Sequence, residues 1–403
     1  MDWSFLIRNK ESIFVTTDSR KVTPGCVFVA LKGEHFDGND FVEQAKADGA
    51  EYIISGENAL AELQDLARAW RRQLDIPIIA ITGTNGKTTT KELTAAVLKT
   101  KYNVYYTQGN LNNQLGVPLT LLSITRAHEV AIVEMGASHP GDIKELVEIA
   151  EPTDALITNV GKAHLQGFGS FEGVQKTKAE LYDWIIAHGG TIFYNADNPY
   201  LCKMLEKHLP KGRKSKRTIG LYRYRASQCP ISVDETHLVG GYNQENIAAA
   251  FAIGMCLACT VPACREAICG YVPTNNRSQL MQTEKNTVVV DAYNANPTSM
   301  TAAIESFSHQ PSDKPSCYIL GAMRELGEYS HLEHQNIVNM LLERKADKVL
   351  LVGDEYKETT APYPVFDDVE ALCAHLQAEP ISGYKILLKG SRSNELEKVI
   401  PLL

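Results

Sequence analysis

The pattern that most limits the fold of this chain lies between Ile78 and Asn195, where largely continuous apolar runs alternate with amphipathic ones. "IIAIT", "NVYYT", "EVAIVEM", "DALITNV" and "TIFYN" read as strands, and "TTKELTAAVLKT", "PGDIKELVEIA" and "KTKAELYDWIIAH" carry a helical period. Apolar strands separated by helices predict a parallel sheet covered on both faces. Ligands on such a sheet gather at the carboxyl ends of its strands.

Shorter α/β units flank this section. In residues 1–76, "CVFVAL", "DFVEQAKADGA" and "EYII" read as strand, helix closed by Gly49, and strand; Pro77 follows a charged helix, "ELQDLARAWRRQL". From Arg277 the runs "TVVVDAY", "SCYILGA", "KVLLVG" and "YKILLKG" form another strand series with helices between. A chain of 403 residues exceeds a single core. The expectation is three α/β domains: 1–76, a central parallel-sheet domain at 77–276, and a Rossmann-like domain at 277–403.

Charge and cysteine usage narrow the function. A net charge of −8 argues against nucleic acid as the main partner, and the basic run at 211–217, "KGRKSKR", lacks interleaved aromatics and reads as a solvated loop. Nine cysteines without framework spacing suggest free thiols in a reducing cytoplasm. Cys256, Cys259, Cys264 and Cys269 fall in what read as two apolar helices, where cysteine serves as a small core residue rather than a zinc ligand. The N-terminus has no signal pattern, and the longest apolar run, Ile247–Val261, is too short to span a bilayer. A cytoplasmic protein is expected.

The chemistry concentrates at strand ends. "ITGTNGKTTT" follows a buried strand and opens a helix, so backbone N–H groups around Gly83, Thr84, Asn85, Gly86 and Thr89 can close on phosphate oxygens. Lys87 adds a mobile charge, and the Thr88 hydroxyl can ligate Mg²⁺. The strict phosphate-loop pattern wants a glycine where Ile81 stands. Glu134 ends "EVAIVE" and is either a ligand for the same Mg²⁺ or a plain strand-end acid. His164 follows the next strand on the same sheet edge, where a metal role competes with a structural one. Asn243 and Asn246, at i and i+3, either read a base or cap a helix. Asp291, Tyr293, Asn294 and Asn296 crowd the end of "VVVDAY", which suits a ligand and equally suits turn chemistry. Spacing alone leaves Lys178 an ordinary helix lysine.

Together these stretches resemble the Mur ligase family, ATP-dependent amide-bond formers of bacterial cell-wall synthesis. The resemblance covers nearly the whole chain: "TDSRKVTPGCVFVALKGEHFDGNDFVEQAKADGA", "GTNGKTTTK", "GNLNNQLGVP", "VEMGASHPGDI", "ITNVGKAHLQGFGS" and "KAELY" follow in family order. The family's own loop is shortened in this way, so Ile81 is no departure. "DAYNANPTSM", "LGAMRELGEYSHLEH" and "LLKGSRSNELEKVI" are similar to the branch that adds D-alanyl-D-alanine to a UDP-N-acetylmuramoyl-tripeptide.

The resemblance implies residue roles. Lys87 and the loop would hold ATP; Thr88 and Glu134 would bind one Mg²⁺ and His164 a second, supported by Lys178 as a carbamate. Lys87, His164 and Lys178 would be catalytic, and Asn243, Asn246, Arg277, Asp291 and Tyr293 would surround the nucleotide. Asp18, Ser19, Arg20 and Lys32 would face the UDP moiety, with Asn110, Asn112, Asn113, Asn294 and Asn296 toward the sugar, peptide and dipeptide. A monomer without membrane or nucleic-acid partners is expected. The alternatives are the family branch that adds lysine or diaminopimelate as the third peptide residue, and a nucleotide-gated protein that ligates nothing. Ala322 stands where the family usually shows aspartate and takes no role, Tyr242 replaces a common histidine, and the stretch between "TIFYNADNP" and "GGYNQEN" is shorter than usual.

Overall fold

Three sheets follow one another along the chain in the computed structural model, which describes residues 2–33, 36–210, 218–274 and 277–403. The basic run at 211–217 lies outside the described residues. The first unit comprises α1 (Ser4–Ile7), β1 (Val15–Thr16), β2 (Val27–Val29), α2 (Val42–Ala47), β3 (Tyr52–Ile54) and α3 (Ala59–Arg71), with a parallel sheet in the order β1-β2-β3. Gly49, at φ +91°, turns the chain after α2 in a left-handed conformation that glycine adopts without steric cost.

Helix α3 buries Leu63, Leu66, Ala67 and Trp70, spaced i, i+3, i+4, i+7 along one face. That face joins Ile78, Ala80, Val117, Leu121 and Leu146 in one continuous core, and Trp70 Nε1 donates to Ile124 O at 2.8 Å. Packing therefore runs across the sequence limit expected after residue 76.

The central unit contains β4 (Ile78–Thr82), α4 (Lys87–Leu98), β5 (Val104–Tyr106), α5 (Gly116–Leu122), β6 (Val130–Glu134), α6 (Asp142–Ala150), β7 (Asp154–Ile157), α7 (Leu165–Phe168), α8 (Phe171–His188), β8 (Gly190–Asn195), α9 (Pro199–His208), β9 (Ile219–Tyr224), α10 (Asn243–Cys256) and α11 (Val261–Gly270). All six strands are parallel, in the order β5-β6-β4-β7-β8-β9. The chain leaves β4 for β5 and β6 on one side and returns to β7 on the other, which makes the carboxyl end of β4 a switch point. Strand β9, with the sequence "IGLYRY", was not foreseen; it is a half-exposed edge strand whose polar residues break the apolar run. Cys259 and Cys264 pack with Val97, Ile253 and Ile268 as core residues.

The last unit holds β10 (Gln279–Gln282), β11 (Thr287–Asp291), α12 (Pro297–His309), β12 (Ser316–Gly321), α13 (Ser330–Glu343), β13 (Lys348–Val352), β14 (Val365–Phe366), α14 (Val369–Ala378) and β15 (Lys385–Lys389), in the sheet order β10-β11-β15-β12-β13-β14. The sheet is mixed, because β10 runs antiparallel to β11 while every other pairing is parallel. Apolar layers cover both of its faces. Among the described residues, no helix is long and apolar enough to cross a membrane.

Candidate active site

The register of the central sheet sets Ile81 beside Glu134 and Thr82 beside Ile157, so the segments leaving β4, β6 and β7 emerge together. Between β4 and α4, Gly83 and Gly86 take φ +146° and +77°. A Cβ on Gly83 would come within 2.0 Å of Thr158 Oγ1, and one on Gly86 within 2.2 Å of Asn246 Oδ1, so only glycine fits either place. The β7 end holds the loop backbone: Thr84 N donates to Asn159 O (3.0 Å), Asn85 N to Asn159 Oδ1 (3.0 Å), and Thr158 Oγ1 to Asn85 O (2.6 Å). Lys87 Nζ donates back to Gly83 O (2.9 Å) and Thr84 O (3.1 Å). Burial lowers the Lys87 pKa, Glu134 opposes the shift and Arg277 adds to it.

Glu134 is 2% exposed. Its Oε1 accepts from the Thr88 hydroxyl (3.2 Å) and from Asn112 Nδ2 (2.8 Å). Its Oε2 has no hydrogen-bond partner among the described residues, although the buried Lys91 ammonium lies 3.7 Å away and donates to Thr107 O. A hydroxyl beside a carboxylate with an unused buried oxygen is a donor set that fits a hard, oxygen-preferring cation.

His164 stands in the left-handed region, at φ 50°, a strained pose that non-glycine residues hold only when their surroundings enforce it. Its Nδ1 lies against the Glu325 carboxylate of the C-terminal domain. Burial lowers its pKa; Glu325 raises it, and the charges of Lys87 and Lys178 lower it further. Lys178, on α8, is 2% exposed, with its ammonium 5.8 Å from the Phe168 ring centroid and no ion pair among the described residues. Burial, then the charge of Lys87, push its pKa well below the ordinary value.

The facing wall comes from α10 and the C-terminal domain. Asn243 and Asn246 are buried; Asn246 Nδ2 donates to Asn243 Oδ1 (2.8 Å), and Asn246 Oδ1 accepts from Thr90 Oγ1 (3.1 Å), tying α10 to α4. The Arg277 guanidinium stacks 3.7 Å from the Tyr293 ring centroid. Asp291 Oδ1 accepts from Ser278 N (3.3 Å), and Oδ2 accepts from Lys389 Nζ (2.6 Å). Tyr242 spans to Ser278, with hydroxyl oxygens 2.9 Å apart. Ala322 is fully buried, and a Cβ added at Gly353 would come within 2.6 Å of its methyl.

These walls enclose a cavity of about 1000 Å³. Thr84, Asn85, Gly86, Lys87, Thr88, Thr89, Asn110, Asn112, Asn113, Glu134, His164, Asn243, Asn246, Arg277, Asp291, Tyr293 and Asn294 all line it. Gly83 and Lys178 do not line it, and four more expected residues lie in the N-terminal domain: Asp18, Ser19, Arg20 and Lys32. Asp18 takes both Nε and Nη2 of Arg20 (2.8 and 2.9 Å), which holds its carboxyl down to about 2, and Lys32 stands 3.9 Å from Asp37. Asn296 does not line the cavity. It caps α12 through Ser299 N (2.9 Å) and donates Nδ2 to Asn85 Oδ1 (2.8 Å), so its amide is spent on protein. Glu325 and Lys389 line the cavity but were not singled out in the sequence. Lys389 carried the signal that flagged Glu134, a charge closing an apolar strand; Glu325 carried none.

Three family models match the chain: "Mur ligase family, catalytic domain" over residues 12–102, "Mur ligase middle domain" over 81–254, and "Mur ligase, glutamate ligase domain" over 276–392. The chain is 36% identical to the UDP-N-acetylmuramoyl-tripeptide–D-alanyl-D-alanine ligase of Escherichia coli, covering 96% of this chain and 93% of that protein. It is 31% identical to the Bacillus subtilis ligase of the same name, with 96% and 92% covered. Among solved structures, MurF from Thermotoga maritima in complex with ADP is similar at TM-score 0.83 and 28% identity, with 98% of each chain covered. MurF from Acinetobacter baumannii is similar at TM-score 0.82 and 28% identity, covering 96% of this chain and 92% of that one. With relatives matched over nearly its full length and family domains in sequence along it, the chain belongs to the Mur ligase family.

Proposed function

We propose that the protein is an ATP-dependent ligase that joins D-alanyl-D-alanine to a UDP-N-acetylmuramoyl-tripeptide, in the cytoplasm, to give the pentapeptide precursor of peptidoglycan. The observation that carries this reading is one cavity lined both by the glycine loop and by the "DAYNANP" turn, in a chain matched end to end by ligases of that name. The working limits are 1–76 for the UDP-substrate domain, 77–276 for the ATP domain, and 277–403 for the domain completing the nucleotide and dipeptide sites.

In the first step a tripeptide carboxylate oxygen attacks the γ-phosphorus of ATP, and the bond to the ADP oxygen breaks. The dipeptide amine then attacks the acyl carbon; phosphate leaves with the electrons of the C–O bond, and the amine gives up its proton. Two anions must meet in the first step, so Lys87 and the loop N–H groups offset their repulsion and stabilise charge on the transferred phosphoryl group. Thr88 and Glu134 would hold a Mg²⁺, and His164 with carbamylated Lys178 a second; bound there, the ions supply charge neutralisation at the phosphates. The depressed pKa of Lys178 favours a neutral amine, the form that adds CO2, loses a proton and becomes an oxygen-donor anion. Asn243, Asn246, Arg277, Asp291 and Tyr293 would hold the nucleotide, and Asn110, Asn112, Asn113 and Asn294 the peptide side. Asp18, Ser19, Arg20 and Lys32 would receive the UDP end. Phosphate release measured with D-Ala-D-Ala and with single amino acids tests the reading; release driven equally by lysine or diaminopimelate on a UDP-dipeptide would replace it with the third-residue ligase.

A further inference from the structure

We propose that Lys389 is a positioning residue of the nucleotide site, acting through Asp291 and the segment that follows it; this rests on the reading of Asp291 as a nucleotide contact. Lys389 is the last residue of β15 and sits in register with Asp291, the last residue of β11. It is 2% exposed. A buried ammonium is costly unless its donors are engaged, and here both acceptors among the described residues belong to one short segment. Nζ donates to Asp291 Oδ2 at 2.6 Å and to Asn294 O at 3.2 Å. One side chain thus joins both ends of the segment from Asp291 to Asn294, which leaves β11 and bends at Tyr293.

Two consequences follow for the cavity. The Asp291 carboxylate is fixed from both sides, by Lys389 on Oδ2 and by Ser278 N–H on Oδ1. Inside the clamped segment, Tyr293 is the platform on which Arg277 stacks, so the pose of that pair depends on the clamp. Lys389, Asp291, Tyr293 and Arg277 all line the same cavity. An ion pair serving the sheet alone would have no need to reach the carbonyl of Asn294.

The test uses the full chain with Lys389→Met and Lys389→Gln, and with Asp291→Ala alongside. ADP Kd by calorimetry and KM for ATP and for D-Ala-D-Ala are measured on each. Losing a charge-assisted hydrogen bond is expected to raise ADP Kd and ATP KM about 10- to 100-fold in Lys389→Met. The dipeptide KM is expected to move by a smaller factor, because the clamp holds Asn294 by its backbone carbonyl and leaves outside the contact the side chain assigned to the peptide side. Lys389→Gln, which keeps a neutral donor, falls between wild type and Met, and carries the test if the Met variant does not fold. The proposal is overturned if the Lys389 variants bind ADP like wild type while Asp291→Ala binds it weakly. It is equally overturned if all three constants move together with a loss of cooperative unfolding. If Asp291→Ala binds ADP normally, the nucleotide reading of Asp291 has failed, and the role of Lys389 falls with it.

Discussion

At the scale of single residues, the site is a set of charges placed where water is scarce. Lys87 is bonded to two carbonyls of its own loop, which points its ammonium along the surface that would receive phosphates. Lys87→Ala is expected to lower amine-dependent phosphate release at least about 100-fold, as removal of a preorganised charge stabiliser does, with the circular dichroism spectrum unchanged. Substantial residual turnover would remove the loop from the chemistry. Lys178→Ala is expected to be inactive and partly restored by short carboxylates that replace the carbamate oxygens; full activity without them would dismiss the carbamate. Lys178 also makes a prediction about pH. Its native pKa lies well below 10.5, its ordinary value. Between those two values the unfolded chain holds a proton that the native chain does not, so stability rises with pH across that window. Urea unfolding in CO2-free buffer at several pH values is expected to show that slope in wild type and a shallower one in Lys178→Met.

At the scale of elements, legibility followed burial. The strands β4, β6, β7 and β8 were readable because continuous apolar runs have few alternatives, and they carried Glu134 and the loop to the right edge. Strand β9 was missed because a half-exposed edge strand carries polar residues, β10 because its residues alternate half-buried and exposed without an apolar run, and β14 because it is only two residues long. Helix α3 was readable as a helix, but its partners were not: nothing in "ELQDLARAWRRQL" says that it packs on helices α5 and α6 of the central unit as well as on the strand β3 before it. Trp70→Ala is therefore expected to destabilise the central unit by about 3–5 kcal/mol, read as a loss in urea midpoint. The amides divide in the same way. "DAYNANP" announced a polar strand end, yet only the tertiary fold separates Asn294, which lines the cavity, from Asn296, which caps α12 and holds Asn85. In a double-mutant cycle on Asn85→Ala and Asn296→Ser, the serine keeps the cap and loses the contact. Coupling of about 1 kcal/mol in ADP binding is expected, and simple additivity would show that the pair does not transmit.

At the scale of the whole molecule, the C-terminal domain completes the cavity from above the central sheet. It is tied there by Lys162 Nζ to Glu333 (2.6 Å), Lys162 N to Thr298 Oγ1 (2.9 Å), Gln166 N to Glu325 O (3.2 Å), and the His164–Glu325 contact. None of these pairings was visible in the sequence, because each joins residues more than a hundred positions apart and no single motif contains both partners. The arrangement has a functional consequence: residues of the central and C-terminal domains line one cavity, so turnover needs both domains in place at once. The measurement that tests this account most directly is phosphate release from ATP with the UDP-tripeptide, with and without D-alanyl-D-alanine. The account predicts sustained release only when the dipeptide is present, matched mole for mole by UDP-pentapeptide. Release that continues without the dipeptide, or ATP binding with no pentapeptide formed, would contradict it.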